Sequence, residues 1–195
     1  MHPILERNTF FVKEHVGMFK AANNFDIFDP DSNQTILLCR EPNLGLFTKL
    51  LRFSDYKRNT PFHIEITDTA NQPVVQVKRG ISILRSVVEV LDEKGQLVGS
   101  FRQKLFSIGG KFEVLDANGN SLCWLKGSWT SWDFRFEKDG RQIAQVTKKW
   151  AGIGKELFTS ADNYMLIIDP AVAAKDPVRQ LILAAVMCID MVLKE

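Results

Sequence analysis

Near its C-terminus the chain runs Asp176-Pro-Val-Arg-Gln-Leu-Ile-Leu-Ala-Ala-Val-Met-Cys-Ile-Asp-Met-Val-Leu-Lys-Glu195, and no other stretch limits the fold so tightly. Asp176 suits a helix N-cap, Pro177 suits the first helical position, and no helix breaker follows, so the pattern predicts a helix over 177–194. From Leu181 to Ile189 that helix is apolar on every face, which requires surroundings of lipid or of the rest of its own protein. That uniformly apolar part is nine residues, well short of the roughly twenty that span a bilayer, and Asp190 follows it directly, where burial in lipid is costly. The sequence therefore favours a helix enclosed by protein.

What encloses it is written as a repeat. An alternating apolar segment runs into an acidic turn residue, then an Asn or Gly, then a second alternating segment. The pattern occurs in Phe25-Asp-Ile-Phe-Asp29 with Asn33 and Thr35–Cys39, and in Phe62–Asp68 with Asn71 and Val74–Val77. It recurs in Val87–Asp92 with Gly95 and Leu97–Phe101, in Lys111–Asp116 with Gly119 and Leu122–Leu125, and in Trp132–Glu137 with Gly140 and Ile143–Val146. Asp at the first turn position accepts bonds from the amides that follow, and Gly or Asn tolerates the left-handed conformation that closes the loop. Trp132, Phe134 and Phe136 fall on one face and Asp133, Arg135 and Glu137 on the other, so the sheet has one buried and one wet side.

Further strands are predicted at Phe10–Val12, near Met18–Ala21 and at Tyr164–Ile168, giving roughly a dozen in all. The expected fold is mainly β: a closed antiparallel barrel of about twelve strands, formed from consecutive hairpins around the buried C-terminal helix. A barrel of that size is too wide for its own side chains to fill, and an apolar helix fits the space. No linker or low-complexity segment divides the chain, so residues 1–195 read as a single domain. The insertions Glu41–Pro61 and Lys148–Asp162 break the regular spacing.

Composition narrows the function. A net charge of +2 on 195 residues gives no reason to expect nucleic acid as a partner. Cys39, Cys123 and Cys188 are too far apart and too few for a disulfide framework or a CxxC zinc site, which points to a reducing, cytoplasmic setting. The segment from Met1 to Lys20 lacks the apolar core of a signal peptide. His2, His15 and His63 have no metal-ligand spacing. Gly152-Ile-Gly-Lys155 and Ile108-Gly-Gly-Lys111 fall short of a phosphate loop. No Ser, Cys or Lys has a base beside it, so no catalytic residue is assigned and a non-enzymatic role is expected.

Lipid contact has candidates. Leu44–Phe53 places Leu46, Phe47, Leu50 and Leu51 at helical spacing, with Lys49, Arg52, Lys57 and Arg58 nearby, the pattern of a short basic amphipathic helix on an anionic membrane or of a loop helix packed on the barrel. Trp129 is the tryptophan best placed for exposure at an interface, and Trp132 belongs with the core. Lys78, Arg79, Arg85, Arg102, Lys104, Lys148, Lys149 and Lys155 offer a wider basic patch.

Lys148-Lys-Trp-Ala-Gly-Ile-Gly-Lys-Glu-Leu-Phe-Thr-Ser-Ala-Asp-Asn-Tyr164, with the strand and apolar helix after it, resembles the C-terminal region of the phospholipid scramblase family. Asn23–Asp29 resembles the family's first hairpin, and the likeness covers residues 10–195. LURP-one-related proteins are similar too, and the resemblance to both groups implies the tubby-like fold, a twelve-stranded barrel closed on a hydrophobic helix. It also implies a membrane-associated protein that binds anionic phospholipid and moves it across the bilayer. The alternative is a soluble tubby-like module recognising a protein partner or a phosphoinositide headgroup. The family's proline-rich extension and palmitoylated cysteine stretch have no counterpart here. Its calcium segment does, as Ser160-Ala-Asp-Asn-Tyr164 through Asp169, which leaves Asp162, Asn163 and Asp169 as calcium candidates. Two carboxylates fall short of the six to eight oxygens calcium takes, and the same residues also suit a turn cap and a strand end.

Overall fold

The computed structural model of the chain describes residues 1–15, 24–42, 60–81, 86–104, 110–128, 131–148 and 163–193. After a 3₁₀ turn (Pro3–Glu6) come β1 (Thr9–Glu14), β2 (Phe25–Phe28), β3 (Thr35–Arg40), β4 (Phe62–Asp68), β5 (Pro73–Arg79) and β6 (Val87–Asp92). The chain continues through β7 (Leu97–Gln103), β8 (Gly110–Asp116), β9 (Ser121–Ser128), β10 (Asp133–Lys138), β11 (Arg141–Thr147) and β12 (Asn163–Ile168) to helix α1 (Val178–Leu193). Every strand pairs antiparallel with its neighbours in sequence, and β1 closes onto β12 with Phe11 opposite Met165. This is the expected closed antiparallel barrel around a C-terminal helix. The strand expected near Met18–Ala21 and the helix expected within Leu44–Phe53 lie outside the described residues.

One turn chemistry sets the hairpin registers. Asp68, Asp92 and Asp116 each use Oδ1 to accept the amides two and four residues on, at 2.9 and 2.8 Å. The residue at the third position takes positive φ in each case: 61° at Asn71, 77° at Gly95 and 84° at Gly119. A register shift falls just before each of these turns, so the aspartate, the left-handed residue and the bulge form one repeated device that tightens the curl of the sheet. The β10–β11 hairpin differs. Asp139 and Gly140 both have positive φ there, the two-residue turn that matches strand twist.

Alternation along the strands sends Phe62, Ile64 and Ile66, Val88 and Val90, and Phe134 and Phe136 inward. Helix α1 fills the space between them. From Leu181 to Ile189 no residue exposes more than 1% of its surface. The N-cap forms as read, with the Val178 amide donating to Asp176 Oδ1 at 2.9 Å. Room for the helix is made partly by Gly99 on β7, where a Cβ would lie 2.1 Å from the Leu115 carbonyl oxygen and 3.2 Å from Leu181. Trp132 packs against the core as the sequence suggests, but not as part of the strand. It precedes β10 with φ 49° and is half-buried, so its ring lies against Phe134 and Tyr164 at the barrel's edge and does not continue the inward row.

Arg179 enters the barrel with the helix and is 2% exposed. Its Nε donates to Ala173 O at 3.0 Å, Nη1 to Leu5 O and Arg7 O at 3.0 and 2.9 Å, and Nη2 to Asn8 Oδ1 and Val172 O at 2.7 and 3.0 Å. All five guanidinium donors are used. Burial lowers its pKa from the ordinary arginine value, and the fan of oxygens compensates the charge. One side chain thereby joins the first residues, the β12–α1 link and the helix. Arg179→Met is expected to lower unfolding stability by roughly 3 kcal/mol or more, because it strands buried carbonyls. Arg179→Lys, with three donors, recovers part of this, and urea denaturation midpoints measure both.

Candidate functional site

Up-and-down pairing puts alternate connections at the same end of the barrel. The five hairpin turns and the β12–α1 link, residues 29–34, 69–72, 93–96, 117–120, 139–140 and 169–177, occupy one end and carry six Asp or Glu and two Lys or Arg. The other six connections, residues 16–23, 43–59, 82–85, 105–109, 129–130 and 149–162, leave from and return to strand ends at the opposite end. By sequence these six carry eight Lys or Arg and three Asp or Glu. By sequence, then, the connections at one end of the barrel are mainly acidic and those joining strands at the other, here called the basic end, are mainly basic.

Buried polar groups gather just inside the basic end. Arg79, 3% exposed, donates from Nη2 to Thr60 O at 2.6 Å and lies 4.8 Å over the Phe62 ring, with Ser86 Oγ 3.5 Å from Nη1. It ties together the start of β4, the end of β5 and the approach to β6. Sequence reasoning put Arg79 in an external basic patch. Counting by twos from Val75 and Val77 gives its inward direction, which is the signal that was missed. Across the barrel the Tyr164 hydroxyl donates to Asp190 Oδ1 at 2.8 Å, both residues being buried. Above this pair Trp132 and Tyr164 stack with ring centroids 5.1 Å apart. The Lys148 ammonium lies 4.2 Å from the first ring and 5.1 Å from the second. Aspartate is thus placed near the end of an apolar helix with a phenol as its partner.

A family model described as Scramblase matches residues 4–195. The chain belongs to the scramblase family. The chain is 23% identical over 191 residues to Altered inheritance rate of mitochondria protein 25 of Saccharomyces cerevisiae, covering 85% of this chain and 58% of that protein. It is 22% identical over 194 residues to a phospholipid scramblase family protein of Schizosaccharomyces pombe, covering 91% of this chain and 50% of the relative. It thus spans little more than half the length of these two proteins. An X-ray structure of an Arabidopsis thaliana protein shares the fold, with a TM-score of 0.56 at 15% identity over 97% of this chain and 95% of that one.

The residues that the scramblase resemblance marked are distributed unevenly. Asn163 and Asp169 stand at opposite ends of β12, roughly 20 Å apart along a strand of that length, so one ion cannot take both. Asn163 is buried, and Asp169 Oδ1 accepts the Ala171 amide at 2.8 Å as a turn residue. Among the described residues no group of three or more His, Cys, Asp or Glu is arranged to hold a metal. Asp162, Lys49, Arg52, Lys57, Arg58 and Trp129 lie outside the described residues. All three cysteines are buried, and desolvation raises the Cys123 thiol to about 12, far from a nucleophilic thiolate. Among the described residues no helix is long and apolar enough to cross a membrane.

Tyr164→Phe deletes the donor to Asp190 and is expected to cost about 1–3 kcal/mol in a denaturant melt, with the barrel still folded by circular dichroism. An unchanged midpoint would show that the pair contributes nothing to stability.

Proposed function

We propose that this scramblase-family protein is a non-enzymatic, peripheral membrane protein that binds anionic phospholipid through the basic end of its barrel, in support of lipid movement between leaflets. The reading is supported by the sequence of the connections, which are mainly acidic at one end and mainly basic at the other. A surface bearing phosphatidylserine or phosphoinositide attracts one end and repels the other, and so orients the molecule as well as holding it. Such lipids are concentrated on cytoplasmic leaflets, which agrees with three reduced, buried cysteines. Lys49, Arg52, Lys57 and Arg58 belong to the β3–β4 connection and Trp129 to the β9–β10 connection, both of which join strands at the basic end. Several weak ionic contacts sum to useful affinity there, because no acyl anchor is needed once enough of them act together.

The helix has no part in this contact. Its withdrawal would strip five hydrogen bonds from Arg179, separate Asp190 from Tyr164 and leave an apolar cavity in the barrel. Flotation on vesicles with and without phosphatidylserine tests the reading. The protein is expected to float with the anionic vesicles and to dissociate as salt rises, and Lys49→Glu/Arg52→Glu is expected to float several-fold less. No flotation at low salt would exclude lipid and leave a protein-binding module. Leu183→Asp separates the two roles available to the helix: a core helix loses its melting transition, whereas a helix that inserts in lipid loses only lipid exchange in a headgroup-quenching assay.

A further inference from the structure

The outer wall near the basic end carries a row of cations on neighbouring strands. Lys111 on β8 stands directly opposite Lys126 on β9, and Lys126 stands directly opposite Arg135 on β10. Lys104 extends the row on the other side, its amide donating to Lys111 O at 3.0 Å at the end of β7. Four neighbouring strands thus present four cations side by side over roughly 14 Å at the usual strand spacing. Like charges placed directly opposite each other weaken a sheet. The next row inward holds Arg102, Glu113, Trp124 and Glu137, again one per strand.

Carboxylates offset only part of the row. Glu113 takes both Arg102 at 2.8 Å and Lys104 at 3.1 Å, and the Arg102 bond holds its carboxyl below the usual range. Glu137 pairs with Lys126, and Asp133 with Arg135 at 2.9 Å. Five cations therefore share three carboxylates. The Lys111 ammonium lies 4.3 Å over the Trp124 ring, with Lys104 5.4 Å from the same ring. Side-chain exposures of 45% at Lys104, 43% at Lys126 and 52% at Arg135 leave the charges open to an approaching surface.

We infer that this strip, Lys104, Lys111, Lys126 and Arg135 with Trp124 behind it, is the part of the wall that lies against an anionic phospholipid surface. The inference rests on the lipid reading above and adds a location and a chemistry. Lysines are point charges that do not demand a fixed geometry, so the strip reads the phosphate charge density of a bilayer and not one headgroup's shape. The indole is the side chain suited to the depth of the headgroups. A membrane supplies counter-charge for all four positions at once and relieves the repulsion that the folded protein carries when free.

The test exploits that repulsion. Lys111→Glu puts a carboxylate opposite Lys126, so the variant is expected to melt at or above the wild-type temperature while floating less on phosphatidylserine vesicles. Lys111→Ala is expected to lose roughly five-fold in vesicle affinity and Lys111→Ala/Lys126→Ala more, at about one surface charge's contribution each. Lys138→Glu, at the acidic end, is expected to bind as wild type does. Wild-type flotation with undiminished binding by the strip variants would overturn the strip and leave the lipid reading standing. Equal binding to pure phosphatidylcholine vesicles, or a fall in melting temperature that accounts for the lost binding, would overturn it as well. Failure of the wild type to float on anionic vesicles would remove the lipid reading, and the strip with it.

Discussion

The barrel and its helix each exist on condition of the other. A twelve-stranded wall has inward rows of Phe, Ile and Val that need an apolar partner along the axis, and α1 has no polar face to offer to water. Hydrophobic burial supplies the drive but fixes neither the depth nor the rotation of a rod inside a tube. Those are fixed by polar groups at the two ends. Arg179 pins the entry of the helix to backbone oxygens of the first residues and of the β12–α1 link, and Asp190 meets the Tyr164 hydroxyl near the exit. Buried polar groups of this sort specify one arrangement, because any axial slip leaves donors and acceptors unpaired.

Much of the architecture was legible because it is local. An aspartate followed by Asn or Gly marks a turn whose hydrogen bonds span four residues, and strand alternation can be read two residues at a time. The helix was legible from its apolar faces and from the Asp176 cap. The features that escaped involve long reach. Arg179 looked like an ordinary first-turn arginine, since its acceptors Leu5, Arg7 and Asn8 lie 171 to 174 residues away. Trp132 satisfied the alternation rule but sits one residue before the strand, in a left-handed conformation. Asp169, by contrast, was already readable as a strand end, and a six-residue strand separates it from Asn163.

The distribution of charge shows the same division. Along the chain acidic and basic residues are interleaved, and the net value of +2 gives no hint of polarity. Up-and-down connectivity sorts them, because every second connection returns to the same end. Turn chemistry then makes one end acidic for structural reasons, the aspartates being there to accept amides. By sequence, the connections at the other end carry a surplus of lysine and arginine. In a scramblase-family barrel that surplus is the property most directly open to function.

The order of elements has a further consequence, for biosynthesis. In a meander that closes on itself, β1 leaves the ribosome before the other strands and pairs with β12 only after more than a hundred intervening residues have followed, and the axial helix comes later still. Until then the hairpins can zip locally, but the inward rows face an unfilled hollow and two strand edges stay unpaired. For most of synthesis, closure of the seam therefore competes with pairing of those edges to another chain. Barrel closure waits on the last elements, when the helix docks, the seam closes and Arg179 reaches back to the residues just before β1.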